Sequence, residues 1–258
     1  DPAEGWNGAA PLVVIGSAAG VRRSYYARFA DYLTERGSAV LTFDYRGIGG
    51  SRPQSLAGFD ARMRDWGIRD ISGVLSAADG IAAGRPIHWI GHSYGGFGVA
   101  LARNHDLIER LLCVATLEGH WRNLKGLERY RAAAGMSVLL PAITRMRGYM
   151  PGRVLGSAED LPKGVLIEWA RWIMRPAFLF DDPTLPEARG FADFKAPIRF
   201  VQIEDDIWAT ETAVAAIAAR FTAAAEKTHW AIRGAAMGGR KIGHLGFFRP
   251  EHRDTLWP

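Results

Sequence analysis

The residues best placed to do chemistry fall in one stretch, Gly91-His92-Ser93-Tyr94-Gly95. Four mostly apolar residues, Ile87-His88-Trp89-Ile90, precede it and read as a short buried strand. Small residues at 97–102 follow and read as a helix. A G-x-S-x-G run acquires meaning only in this setting of strand, tight turn and helix, where the turn lifts the serine hydroxyl above the sheet edge. Glycines two before and two after Ser93 let the strand and helix backbones pass closely. A glycine-rich turn that serves only packing is the plain competing reading. It loses ground because the partners of a reactive serine occur further along the chain.

A serine hydroxyl is a poor nucleophile and needs a base in reach, itself oriented by a third group. Seven histidines compete for the role of base. His88 and His229 fall in or beside strands and read as core or edge residues. His92 should point away from the serine by strand alternation, His105 follows a helix, and His252 lies in a charged segment. His244 alone sits in a glycine-flanked loop after the last strand, Gly243-His244-Leu245-Gly246. The acid should stand just past a late strand. There the chain has Glu204-Asp205-Asp206-Ile207-Trp208, with Asp206 the choice and Asp205 the runner-up. Two backbone N–H groups must face the oxyanion formed on attack. One is expected at Tyr94, directly after the serine. The other is expected in the small-residue loop at 16–20, at Ala19, with Ala18 as the alternative. His120, at the end of a strand, is a candidate for touching substrate.

These groups require a scaffold, and the hydropathy pattern supplies one. Apolar runs at 11–15, 39–43, 87–90, 111–117, 198–203 and 228–232 read as strands. Segments of helical period at 25–33, 66–83 and 212–221 lie between them. Alternation of this kind predicts an α/β fold with a doubly wound, mostly parallel sheet, which binds ligands beyond the carboxyl ends of its strands. Residues 121–194 interrupt the alternation with three helix-like pieces (124–134, 138–146 and 165–174) and no clear strand. The expected organisation is therefore a core of residues 1–120 and 195–258, with a helical cap at 121–194. Trp121, Tyr149, Trp169 and Trp172, together with Trp208 beyond the cap, are expected to contribute to an apolar substrate pocket.

Composition narrows the classes. With 48% hydrophobic and 23% charged residues the 258-residue chain is globular. Its net charge of +5 is read as a solvated surface with arginines spread along the chain, and no nucleic-acid partner is expected. A single cysteine, Cys113, lies in an apolar run and can form no intramolecular disulfide. No apolar run reaches the length of a membrane span. A cytoplasmic location is the expectation; the chain begins at Asp1 without methionine, which leaves a removed leader open. The run Gly47-Ile48-Gly49-Gly50 mimics a dinucleotide loop but lacks its third glycine and a following helix. No cluster has metal-ligand spacing, so neither metal nor cofactor is expected.

Several segments together resemble the α/β-hydrolase fold superfamily over essentially the whole chain. They are Ala18-Ala19-Gly20-Val21, Phe43-Asp44-Tyr45-Arg46-Gly47-Ile48-Gly49, Trp66-Gly67, the run around Ser93, Gly148-Tyr149-Met150-Pro151, Glu168-Trp169-Ala170-Arg171-Trp172 and Ile242-Gly243-His244-Leu245-Gly246-Phe247-Phe248. Within it the chain is similar to a bacterial group near the monoglyceride-lipase and serine-aminopeptidase-like families. The resemblance implies a Ser93–Asp206–His244 triad and hydrolysis of an ester or related acyl substrate. In place of the His-Gly oxyanion motif common in the superfamily, this chain has Ser17-Ala18. Thioesterase, amidase or peptidase and acyltransferase activity would use the same triad, and a ligand-binding protein would keep the fold without turnover. The expected substrate is a small to medium apolar ester; the sequence leaves the oligomeric state open.

Overall fold

The computed structural model describes residues 10–155, 159–234, 238–239 and 241–258. The start of the expected core, residues 1–9, lies outside them.

A buried apolar run forms β1 (Leu12–Gly16), all five residues of which are buried. After a 3₁₀ turn at Arg23–Tyr26 come α1 (Ala27–Thr34) and β2 (Ala39–Thr42). A long helix follows in three parts: α2 (Met63–Asp65), a π turn at Trp66–Ile71 and α3 (Ser72–Ala82). β3 (Ile87–His92) leads through Ser93 into α4 (Tyr94–Phe97), and β4 spans Ile108–Val114. An insertion then carries α5 (Glu128–Ala134), a π turn at Gly135–Leu139, α6 (Leu140–Arg147), β5 (Tyr149–Met150), β6 (Leu161–Pro162), α7 (Lys163–Met174) and α8 (Gly190–Asp193). The chain returns through β7 (Ile198–Ile203), α9 (Glu211–Arg220), β8 (Lys227–Ile232) and α10 (Gly243–Gly246).

Six parallel strands form one sheet in the order β2-β1-β3-β4-β7-β8. The chain steps outward from β1 to β2, then crosses back to lay β3 on the other flank of β1. That reversal is the switch point at which such sheets open a crevice. Gly16 and Gly91 are register partners there, so the loops after β1 and β3 run side by side.

Four elements differ from the sequence expectation. The strand expected at 111–117 begins at Ile108 and stops at Val114. Exposed Glu109 and Arg110 break its apolar run, and Ala115 adopts φ 50°. The helix expected at 97–102 is one turn of α4 followed by a 3₁₀ turn at Gly98–Leu101, since Gly95, Gly96 and Gly98 are poor helix formers. The helices expected at 124–134 and 138–146 are one helical stretch joined by a π turn, which carries Ala132, Met136 and Pro141 on its buried side. The insertion also contains a short antiparallel pair, β5 with β6, too brief to leave a periodic signal.

The insertion is tied to the core through a charged network. Arg64 of α2 donates to Glu168 of α7 at 2.6 Å and to Asp182 at 3.1 Å, and Trp172 Nε1–H donates to Asp182 at 3.0 Å. Glu168 is 4% exposed, and its burial raises its pKa against the pull of Arg64. Removing one member of a buried set like this leaves the others uncompensated, at a cost of about 3–5 kcal/mol. Among the described residues no helix is long and apolar enough to cross a membrane.

Candidate active site

Ser93 stands where β3 turns into α4, with φ 52° and ψ −111°. A non-glycine residue holds such a conformation only where its surroundings impose it, at about 1–3 kcal/mol. Hydrogen bonds pin it on both sides: Ser93 N–H donates to Val114 O at 2.9 Å, and Gly96 N–H donates to Ser93 O at 3.1 Å. The two glycines of the motif are sterically required. A Cβ on Gly91 would lie 2.3 Å from the Gly96 Cα, and one on Gly95 would lie 2.2 Å from the Gly16 carbonyl oxygen.

His244 is fixed by the end of β7. Asp205 accepts the N–H groups of Ile242 and Gly243, each at 2.9 Å, which shapes the loop before the histidine. Asp206 contacts the ring itself, its Oδ2 lying 2.7 Å from His244 Nδ1. Its other oxygen accepts Trp208 N–H at 2.8 Å and Ala209 N–H at 3.0 Å. A carboxylate can only accept, so Nδ1 bears the proton and Nε2 is left with a free lone pair. Of the two adjacent aspartates, one holds the loop and the other holds the ring.

Two backbone amides face the same region. Tyr94 N–H opens α4 and has no intrahelical acceptor. Its ring is clamped among Tyr45, Trp66 and Phe97, and its hydroxyl donates to Met63 O at 2.7 Å. Ala18 N–H is engaged, donating to Tyr26 Oη at 2.9 Å. The Ala19 amide meets no acceptor among the described residues, so of the two candidates only Ala19 has an available donor.

A relay that sequence reasoning missed joins these loops. Tyr26 Oη lies 2.7 Å from His92 Nδ1, and His92 Nε2 lies 2.8 Å from the His244 carbonyl oxygen. That carbonyl can only accept, so His92 carries its proton on Nε2, and Nδ1 accepts the Tyr26 hydroxyl. Burial and the neighbouring His244 lower the His92 pKa to about 3. The loop after β1 and the histidine loop are thus connected through one neutral imidazole. His92 thus has a structural task, bridging Tyr26 and the His244 carbonyl.

Ser93, Tyr94, Ala19 and His244 line one cavity of 520 Å³, a volume typical of small-molecule sites. Its remaining wall is largely apolar, with Met63, Phe97, Met136, Met150, Leu161, Leu166 and Phe178 prominent. Trp169 and Trp208 line it as expected of pocket residues. His120, Trp121, Tyr149 and Trp172 do not. His120 Nδ1–H donates to Ile173 O at 3.1 Å, and Trp121 packs on His120 and Tyr130. Trp172 is fully buried against Asp182. In β5 it is Met150 that faces the cavity, while its neighbour Tyr149 lies off it. The apparent dinucleotide loop is also structural, since Gly50 N–H donates to Asp44 at 2.9 Å. Among the described residues no group of histidine, cysteine and carboxylates could hold a metal ion.

The model of the alpha/beta hydrolase family matches residues 12–253. The chain belongs to that family. Solved structures of similar fold include a monoacylglycerol lipase from Paleococcus ferrophilus (TM-score 0.61, 15% identity, 96% of this chain and 92% of that one). Another is Est1E from Butyrivibrio proteoclasticus with bound ferulic acid (TM-score 0.59, 17% identity, 100% and 89%). A third is an enol-lactonase from Burkholderia xenovorans (TM-score 0.53, 20% identity, 89% and 85%). At these identities the likeness is one of fold. No curated protein sequence is significantly similar to the chain. Family membership supports a hydrolase activity.

Proposed function

We propose that the protein is a serine esterase acting on small to medium apolar esters through Ser93, His244 and Asp206. The observation that carries this reading is the 2.7 Å contact of His244 Nδ1 with Asp206, in a histidine that shares an apolar cavity with the strained Ser93. His244 Nε2 takes the hydroxyl proton as Ser93 Oγ bonds to the ester carbonyl carbon. The N–H groups of Tyr94 and Ala19 receive the oxyanion. Collapse expels the alcohol, which leaves with the proton from His244. Water then attacks the acyl-enzyme by the same route, regenerating Ser93 and releasing the acid. Asp206 keeps His244 in the productive tautomer and stabilises its cation. The insertion at 121–194 serves as a cap, since α5, α7 and the π turn between α5 and α6 contribute cavity wall.

A fluorophosphonate probe followed by p-nitrophenyl esters of increasing acyl length tests the proposal. Labelling that disappears in Ser93→Ala, with turnover of apolar esters, is the expected result. Absence of labelling in the wild-type chain at neutral pH overturns it.

A further inference from the structure

The net charge of the chain is localised. Six basic residues against one glutamate put +5 on residues 121–147, and elsewhere 26 basic and 26 acidic residues cancel. Arginines are spread along the chain as expected, but the uncompensated charge is concentrated in this segment. Of the six, only Arg131 makes an ion pair among the described residues, at 3.9 Å with Glu128. The same segment carries much of the exposed apolar surface: Leu127 is 78% exposed, Val138 69% and Met146 87%, with Tyr130 and Leu139 also exposed. Charge and apolar side chains are interleaved, as Arg129-Tyr130-Arg131 and Arg145-Met146-Arg147. The opposite side of this helical stretch, through Ala132, Gly135, Met136 and Leu140, forms cavity wall.

Side chains this exposed stand proud of the surface. Proud apolar tips flanked by guanidinium groups match the boundary between headgroups and acyl chains. There the tips enter hydrocarbon and the arginines meet phosphate. We infer that the outer face of residues 121–147 docks on an anionic phospholipid surface. Docking sets the apolar cavity directly behind the membrane-facing helix. That this cavity receives an acyl chain from the surface rests on the esterase reading; the docking itself does not.

The test is co-sedimentation of the full-length Ser93→Ala chain with two kinds of vesicle, so that no turnover is involved. One is phosphatidylcholine alone, and the other an equimolar mixture with phosphatidylglycerol. Binding to the mixture, with little to phosphatidylcholine and loss in high salt, is expected. Arg145→Gln with Arg147→Gln should weaken it about 25-fold, near five-fold for each charge removed. Val138→Ser with Met146→Ser should weaken it on the order of 10-fold through lost apolar insertion. Both pairs lie on exposed positions and should leave the melting temperature unchanged. Equal binding to the two vesicles, indifference to both pairs of substitutions, or binding to RNA in place of vesicles would each overturn the inference.

Discussion

The two adjacent aspartates allow a sharp separation of roles. In Asp206→Asn one side-chain oxygen remains, and two backbone donors compete for it, Trp208 N–H and Ala209 N–H. It should stay with them, which turns the new NH₂ group towards His244 Nδ1. Donor would then face donor, so the imidazole must move its proton to Nε2, where it can no longer accept from Ser93. The fold is little affected, since both backbone caps survive, while nearly all of the enzyme is in the wrong tautomer. A fall in kcat of about 10⁴ is expected, or about 5 kcal/mol of transition-state stabilisation. Asp205→Asn is a different perturbation. It leaves one of the Ile242 and Gly243 amides unpartnered at about 1–3 kcal/mol, loosening the loop without touching the ring. Its kcat should fall by less than about 10², with a larger loss of melting temperature than in Asp206→Asn. Steady-state hydrolysis of a p-nitrophenyl ester, with thermal melts of the same samples, measures both. The opposite ranking, with Asp206→Asn within ten-fold of wild type and Asp205→Asn nearly inactive, would refute the assignment.

Three further outcomes follow from the geometry. Ser93→Gly should remove turnover yet raise stability by about 1–3 kcal/mol in urea unfolding, because glycine adopts φ 52° without strain; an unchanged midpoint would show that the turn stores none. His92, neutral in the fold down to about pH 3, takes a proton at about 6.5 once unfolded. The unfolded chain therefore binds more protons between these values, and stability should fall by about 4–5 kcal/mol as pH drops through that window. His92→Gln should flatten this slope, and an equally steep acid limb would exclude His92 as its source. Met136→Trp should fill part of the 520 Å³ cavity and shift the preferred acyl length downward in an ester series, leaving short esters unaffected.

The sheet was legible because buried parallel strands are rich in apolar residues, and β1, β3 and β7 lie within a residue or two of their hydropathy signals. β4 was displaced because Glu109 and Arg110, exposed at its start, look like loop. The π turns were invisible, since each inserts a phase shift in an otherwise helical pattern. Ser93 and His244, which line one cavity, could be singled out because the roles proposed for them depend on local glycine context and chain order. The pocket walls were legible only in part, at Trp169 and Trp208. Whether Tyr149 or Met150 faces inward depends on how a two-residue strand is laid down, and whether His120 meets substrate or the Ile173 carbonyl depends on where α7 packs. Residue type carries neither answer. The Tyr26–His92 contact joins residues 66 positions apart and exists only once β1 and β3 are neighbours.

That contact also bears on how a second histidine can sit beside His244 without opposing the role proposed for it. The His92 and His244 rings are 5.4 Å apart between centroids. Were His92 charged, it would oppose the imidazolium formed on His244 by about 3 kcal/mol at an effective dielectric constant of 20, about two decades in rate. Burial prevents this by holding His92 neutral down to about pH 3. What remains is an N–H dipole directed at the His244 carbonyl, which positions the His244 backbone without adding charge next to it. Tyr26 completes the arrangement. Its hydroxyl selects the tautomer of His92 while accepting Ala18 N–H, and the neighbouring Ala19 amide meets no acceptor among the described residues. A single buried hydroxyl thereby helps position both the His244 backbone and the loop that carries the Ala19 amide.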